Sequence, residues 1–383
     1  MARPVTSYRL LSLGEGALEV GLVTAAFAII PLFLAIPLGR LTDRRPGSPL
    51  LAGGCALQVV ACVLLASAGS TATIAAASAL LGLGHLGLAL GVQEVIARES
   101  DPARHDQHFG LMTAAVALGQ LLGPLLAGAL LTDASASLES TTTRAMLVAA
   151  VVAAAATVLS LLANERGRRA ARADVVGARG AGSVREILAT RGVPAGMFAS
   201  IAVLTAADVF TAYMPLLGED RGIGPGVVGV ILAVRAGASM LARVGIGAIV
   251  AFVGRYRLIS VSAAASAGAL AGVTLTDNVV ALGCLAAVAG FGLGFGQPLS
   301  MTMVVQLVPQ QVRGTALAVR LTGNRLGQVA VPALAGLLAG SAGVTAVFWL
   351  LGGLLVASAV AVERQPRSIS EAEPPGTSAP DAD

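Results

Sequence analysis

The sequence contains no lysine: all 25 of its basic residues are arginine, so every positive charge is permanent and none can serve as a titrating amine. Charged residues make up only 12% and aromatics 3% of the 383 positions, against roughly 25% charged in an ordinary soluble domain. That shortage argues against a soluble globular protein. Cysteine is equally sparse. Cys55, Cys62 and Cys284 lie inside apolar runs without CxxC or histidine-containing spacing, so they read as buried structural thiols, and neither a disulfide framework nor a metal site is expected. The first eighteen residues lack an apolar run followed by a small-residue cleavage site, which excludes a secretory signal peptide there.

Hydrophobic residues, by contrast, reach 56% and come in blocks of about 20, the length that crosses the hydrocarbon of a bilayer as a helix. The blocks predict eleven spanning helices, at about 18–41, 49–69, 72–97, 108–132, 144–163, 192–217, 224–250, 256–275, 278–306, 313–339 and 344–362. An all-α membrane protein follows. The net charge of +4 reports topology rather than nucleic-acid binding, because the arginines sit in short loops with no interleaved aromatics. Arg40, Arg44, Arg45, Arg98, Arg104, Arg255, Arg257, Arg313 and the arginines of residues 165–191 and of the tail fall on one side, while the opposite loops keep Arg144 and Arg221. The arginine-rich side is expected to be cytoplasmic.

An internal repeat accounts for the odd helix count. A shift of 208 lays Gly21 on Gly229, Gly39 on Gly247, Gly82 on Gly290, Gly84 on Gly292, Gly119 on Gly327, Gln120 on Gln328, Pro124 on Pro332 and Gly128 on Gly336. Two six-helix halves related in this way are an arrangement of secondary transporters. The offset places most of the first helix before Met1, so about eleven of twelve helices are expected. The halves are residues 1–164 and 192–362, joined by an arginine-rich linker at 165–191 that carries a short helix near 184–189. The tail, 363–383, is too polar to order itself.

Gly39-Arg40-Leu41-Thr42-Asp43-Arg44-Arg45 resembles the loop signature G-x-L-x-D-R-x-G-R of the major facilitator superfamily, and its weaker repeat copy has Ala251 in place of the aspartate. Gly119-Gln120-Leu121-Leu122-Gly123-Pro124 through Gly128 is similar to the g-x-x-x-G-P-x-x-G-G stretch associated with that family's exporters. In one respect the chain departs from the family: Ser78 stands where an arginine is frequent. The resemblance implies the major facilitator fold, with Gly39, Asp43, Arg44, Gly119, Gly123 and Pro124 in packing or gating roles. Gly82-Leu83-Gly84-His85-Leu86-Gly87 also fits G-x-G-x-x-G, but in mid-helix it has no nucleotide meaning. No enzyme motif is present and no cofactor is expected.

Ionisable and amide groups inside hydrocarbon are expensive and mark candidate sites. Asp208 and Arg235 are at similar depth across a hairpin and are expected to form a buried pair, with Tyr213 nearby. Asn324, Arg325 and Gln328 cluster at mid-membrane. Gln297 precedes Pro298, where the helix is expected to break. His85 is the central histidine and a candidate titrating group. Arg243 and Arg320 lie nearer the cytoplasmic ends, where they can snorkel.

The resulting expectation is a monomeric secondary transporter of the cytoplasmic membrane, with linker and tail cytoplasmic, lipid and a small molecule as partners and the proton as coupling ion. The resemblance implies proton-driven export of small, partly hydrophobic molecules, with Asp208 carrying the proton. Uptake or facilitated diffusion of a small polar or anionic metabolite held by Arg235 and Arg325 is the second expectation. A non-transporting membrane scaffold is the third.

Overall fold

A computed structural model describes residues 1–44, 48–99, 105–133, 135–167, 184–309 and 312–365. Among these, the first half comprises α1 (Ala2–Ser12), α2 (Ala17–Arg44), α3 (Ser48–Ser67), α4 (Thr71–Glu99), α5 (His105–Leu131) and α6 (Leu138–Gly167). The short α7 (Val184–Ala189) precedes the second half: α8 (Val193–Asp220), α9 (Pro225–Val244), α10 (Ile246–Val253), α11 (Arg255–Val273), α12 (Val279–Leu307), α13 (Arg313–Ala342) and α14 (Val344–Glu363). No strand occurs among the described residues. Helices are what lipid demands, because each satisfies its own backbone polar groups. The turns between them are sharp. Asn278 caps α12 by accepting from the amides of Val280 and Ala281 at 2.9 and 3.1 Å, and Gly254 and Gly343 adopt φ of 83°, a region open to glycine at no steric cost.

The eleven expected spans correspond to eleven long helices, with three differences. The span expected at 224–250 divides at Gly245 into α9 and α10, since glycine is the weakest helix former after proline. Helix α12 does not break at Pro298 but runs through it; Thr302 and Ser300 donate to the carbonyls of Pro298 and Gln297, tying that turn together. Among the described residues ten helices are long and apolar enough to cross a membrane, and α13 is not among them, because Arg320, Asn324, Arg325 and Gln328 interrupt its apolar surface. Cys55 and Cys62 are buried as expected, whereas Cys284 is exposed on the outer face of α12.

The 208-residue repeat is realised contact by contact. A Cβ on Gly82 would collide with the carbonyl of Phe27, and one on Gly290 with the carbonyl of Arg235, which is the position equivalent to Phe27. A Cβ on Gly21 would stand 2.5 Å from the Pro332 carbonyl, and one on Gly229 2.6 Å from that of Pro124. The first pair packs α4 on α2 and α12 on α9 within each half. The second packs α2 on α13 and α9 on α5 between the halves, at the helix ends opposite the linker, so the halves are closed against each other there. The acceptor carbonyls at 68 and 276 are equivalent too, although the arginines that reach them, Arg9 and Arg221, are not at equivalent positions. Arg9 donates to the Ala68 carbonyl at 2.8 and 3.1 Å, and Arg221 donates to the equivalent Thr276 carbonyl at 2.7 Å, each guanidinium meeting the negative end of the neighbouring helix. By the same offset α1 corresponds to Phe210–Asp220, the second part of α8.

Where two helix backbones touch, a side chain has no room. Gly290→Val is expected to cost about 1–3 kcal/mol, the usual penalty for overpacking, whereas Gly283→Val, with nothing within 4 Å of its Cβ, shifts stability by less than about 0.5 kcal/mol. Thermal unfolding of the purified protein compares the two.

Candidate functional site

Polar side chains from α1, α4, α8, α9 and α13 converge between the halves. Asp208 of α8 makes an ion pair with Arg3 of α1, so the contact joins the second half to the first. The other Asp208 oxygen accepts from the Gln328 amide at 2.5 Å, and the Gln328 carbonyl oxygen accepts from Arg325 at 2.9 Å. A chain of charge-assisted hydrogen bonds therefore runs Arg325, Gln328, Asp208, Arg3. The side chains of Arg3 and Asp208 remain 29% and 19% exposed, so water and protons can reach the pair. Arg3 also lies 4.1 Å from the centroid of the Phe27 ring, in cation–π geometry. His85, exposed on α4, faces the same ring at 5.9 Å. A cavity of about 20 Å³ beside Arg3, lined also by Thr24, Phe27, Ser78 and Ala212, has room for about one water.

Arg235 does not pair with Asp208, contrary to expectation. Its guanidinium lies 3.5 Å from the Thr211 hydroxyl and 5.9 Å from the Phe210 ring, and it makes no ion pair among the described residues. Counting residues from the hairpin places the two groups at one level but does not set their rotation about the helix axes; the ion-pair partner of Asp208 is Arg3. Tyr213 is fully buried and donates to the Ala17 carbonyl at 2.8 Å, which fastens α8 to the start of α2. Ser7 donates across the same boundary to the Ala212 carbonyl at 2.8 Å.

A second cluster sits two helical turns nearer the linker, about 12 Å along α8. Ser200 donates to Asn324 at 2.9 Å, Gln297 donates to the Ser200 carbonyl at 2.7 Å, and Arg320 donates to the Gln297 side chain at 2.8 Å and its carbonyl at 3.1 Å. Arg320 is thus 5% exposed and turned inward, a correction to the snorkelling expected of it. The guanidinium finds amide and carbonyl acceptors inside the bundle, so it has no need to reach the surface.

Arg3 and Ser200 were not singled out in the sequence. The signal for Arg3 was the repeat itself: the offset lays Arg3 on Thr211, one turn from Asp208. The same offset lays Phe27 on Arg235. Each half thus brings one guanidinium to the equivalent place, from α1 in the first half and from α9 in the second.

The sequence model of the Major Facilitator Superfamily matches residues 2–216 and, a second time, residues 196–380. The chain belongs to that superfamily. Solved structures agree on its fold. A nucleoside transporter, NupG, aligns with a TM-score of 0.68 at 13% identity over 97% of this chain and 95% of that one, and a mutant of it aligns with a TM-score of 0.74 at 12% over 95% and 94%. A bacterial homologue of the human lysosomal transporter Spinster, in an inward-facing and occupied conformation, gives 0.72 at 13% over 96% of each chain. None of the curated proteins compared matches the sequence.

The superfamily's motifs are placed as follows. Gly39, Asp43 and Arg44 fall at the end of α2, and their side chains lie outside the described residues, as do residues 168–183 of the linker and 366–383 of the tail. In the Gly119–Gly128 stretch, Gly119 has open space, Gly123 faces Met1, and Pro124 and Gly128 meet Gly229 of the other half. Ser78, where the family often has an arginine, shares its cavity with Arg3, so in this chain α1 supplies a guanidinium to that place.

Removing the carboxylate alone leaves the Arg3 charge without its partner. Asp208→Asn and Arg3→Gln are expected to be non-additive, with the double variant more stable than the sum of the single losses implies. The coupling should be about 0.5–3 kcal/mol, read from the apparent unfolding of the four proteins.

Proposed function

We propose that this chain is a proton-coupled secondary transporter in which Asp208 carries the proton. One observation supports the reading above others: the Arg3–Asp208 ion pair joins the two halves at mid-membrane and is accessible to water. Protonation of Asp208 removes the charge that holds Arg3, so the link between halves weakens, and alternating access by rocking of one half against the other responds to the proton gradient. The protein acts as a monomer in the cytoplasmic membrane, with linker and tail on the cytoplasmic side, the side that the arginine distribution favours.

For the cargo, the exporter-like stretch at Gly119–Gly128 supports outward movement of small, partly hydrophobic molecules in exchange for protons. A second reading, uptake of a small anionic metabolite, is favoured by a specific observation. Arg3 pairs with the Asp208 carboxylate and Arg325 reaches it only through Gln328, while Arg235 lies against Thr211 one turn away, so three guanidiniums share the region with one carboxylate. A non-transporting scaffold is the weakest reading, since it assigns no role to an ion pair that costs desolvation of both partners.

The test is Asp208→Asn in the full chain, in cells and in reconstituted vesicles. The variant is expected to insert normally and to lose all movement of substrate that a protonophore abolishes in the wild type. Undiminished gradient-driven transport in the variant removes Asp208 from the mechanism.

A further inference from the structure

The charge around Asp208 does not balance, and the imbalance has a chemical reading. Arg235 is 8% exposed, its Nε has no hydrogen-bond partner, and its nearest acceptor is a hydroxyl at 3.5 Å. Arg325 holds only a neutral amide oxygen. Neither makes an ion pair among the described residues, and Arg3 takes the one carboxylate. A guanidinium buried without counter-charge, as Arg235 is, is unfavourable by several kcal/mol unless something neutralises it, and Arg325 is half-buried. Among the described residues no carboxylate makes an ion pair with either. Asp208 meets Arg3 from α1 and Gln328 from α13, behind which stands Arg325; Arg235 of α9 lies against Thr211, one turn from Asp208, and His85 of α4 faces Phe27, the ring under Arg3. Helix α12 has no charged residue, and α14 has none before Glu363.

We infer that the site takes an organic anion, and that the anion loads together with a proton because both compete for the same ion pair. The anion engages Arg325 and Arg235 and draws Arg3 away from Asp208; Asp208, no longer paired, accepts a proton. By linkage, protonation of Asp208 strengthens anion binding by the same factor. Anion and proton then travel in the same direction and, for a monoanion, the loaded site gains no net charge. Phe27, under the Arg3 guanidinium, supplies an apolar face to the bound organic group. The inference rests on the proposed role of Asp208 for its coupling, but not for its ligand class.

The full chain reconstituted in phosphatidylcholine vesicles with a pH dye inside tests both parts. The probes are membrane-impermeant: succinate, benzenesulfonate and phenyl phosphate as anions, and phenyltrimethylammonium as the cation. At least one anion added outside is expected to acidify the lumen saturably, with half-saturation raised tenfold or more in Arg325→Gln and in Arg235→Gln. Its binding to the purified protein, read as a rise in melting temperature, should strengthen as pH falls, keep that dependence in His85→Gln and lose it in Asp208→Asn. Anion binding whose pH dependence survives Asp208→Asn overturns the coupling through Asp208 and leaves the ligand class standing. A response to the cation alone, lumenal alkalinisation by the anions, or no binding and no response with any anion overturns the inference.

Discussion

Two helices gain little by hiding apolar side chains from a solvent as apolar as themselves, so a chain in a bilayer must be held by close backbone approach and by polar contacts. Here glycine makes the approach possible, and it does so twice at every important crossing. Gly82 on Phe27 repeats as Gly290 on Arg235, and Gly21 on Pro332 repeats as Gly229 on Pro124. The first pair sets the spacing within a half and the second closes the halves on each other. Everything polar between them is positioned by those four contacts. The Arg3–Asp208 pair, the Tyr213 hydroxyl on Ala17 and the Ser7 hydroxyl on Ala212 all cross where the halves are held together.

That dependence explains which features were legible beforehand. Span positions follow from runs of apolar residues, and the repeat follows from an ungapped offset, so α2 to α6 and, apart from the division of α9 from α10, α8 to α14 are readable without coordinates. The polar residues of α13 were readable because they are conspicuous in hydrocarbon, and Gln328 does meet Asp208. What residue counting does not supply is rotation about a helix axis. Asp208 and Arg235 share a level yet point to different neighbours, and Arg320, counted as close to the surface by depth, turns inward to Gln297. Arg3 escaped notice because only eleven residues of helix surround it, too few for hydropathy to mark as a span.

The repeat is symmetric in backbone and asymmetric in chemistry. Equivalent positions 3 and 211, and 27 and 235, carry arginine and threonine, and phenylalanine and arginine. At these equivalent places each half sets one permanent positive charge, from different helices and against different companions: the Phe27 ring and a carboxylate for Arg3, the Phe210 ring and a hydroxyl for Arg235. The carboxylate belongs to the second half alone. A site built on equivalent scaffolds is in this way given one side that can change its charge and one that cannot.

Helix α13 has a consequence for how the chain enters the membrane. A central arginine costs about 2.5–3.5 kcal/mol in a helix leaving the insertion machinery, and α13 carries Arg320 and Arg325 together with Asn324 and Gln328. It therefore partitions into lipid poorly as an isolated segment. Synthesis runs from the N-terminus, so α8 with Asp208 and Ser200, and α12 with Gln297, are already in place when α13 emerges, and they offer the acceptors that its polar residues use in the finished structure. The order of helices along the chain lets the most polar span arrive after the helices that supply its polar partners, and its entry into the bilayer is at once its docking.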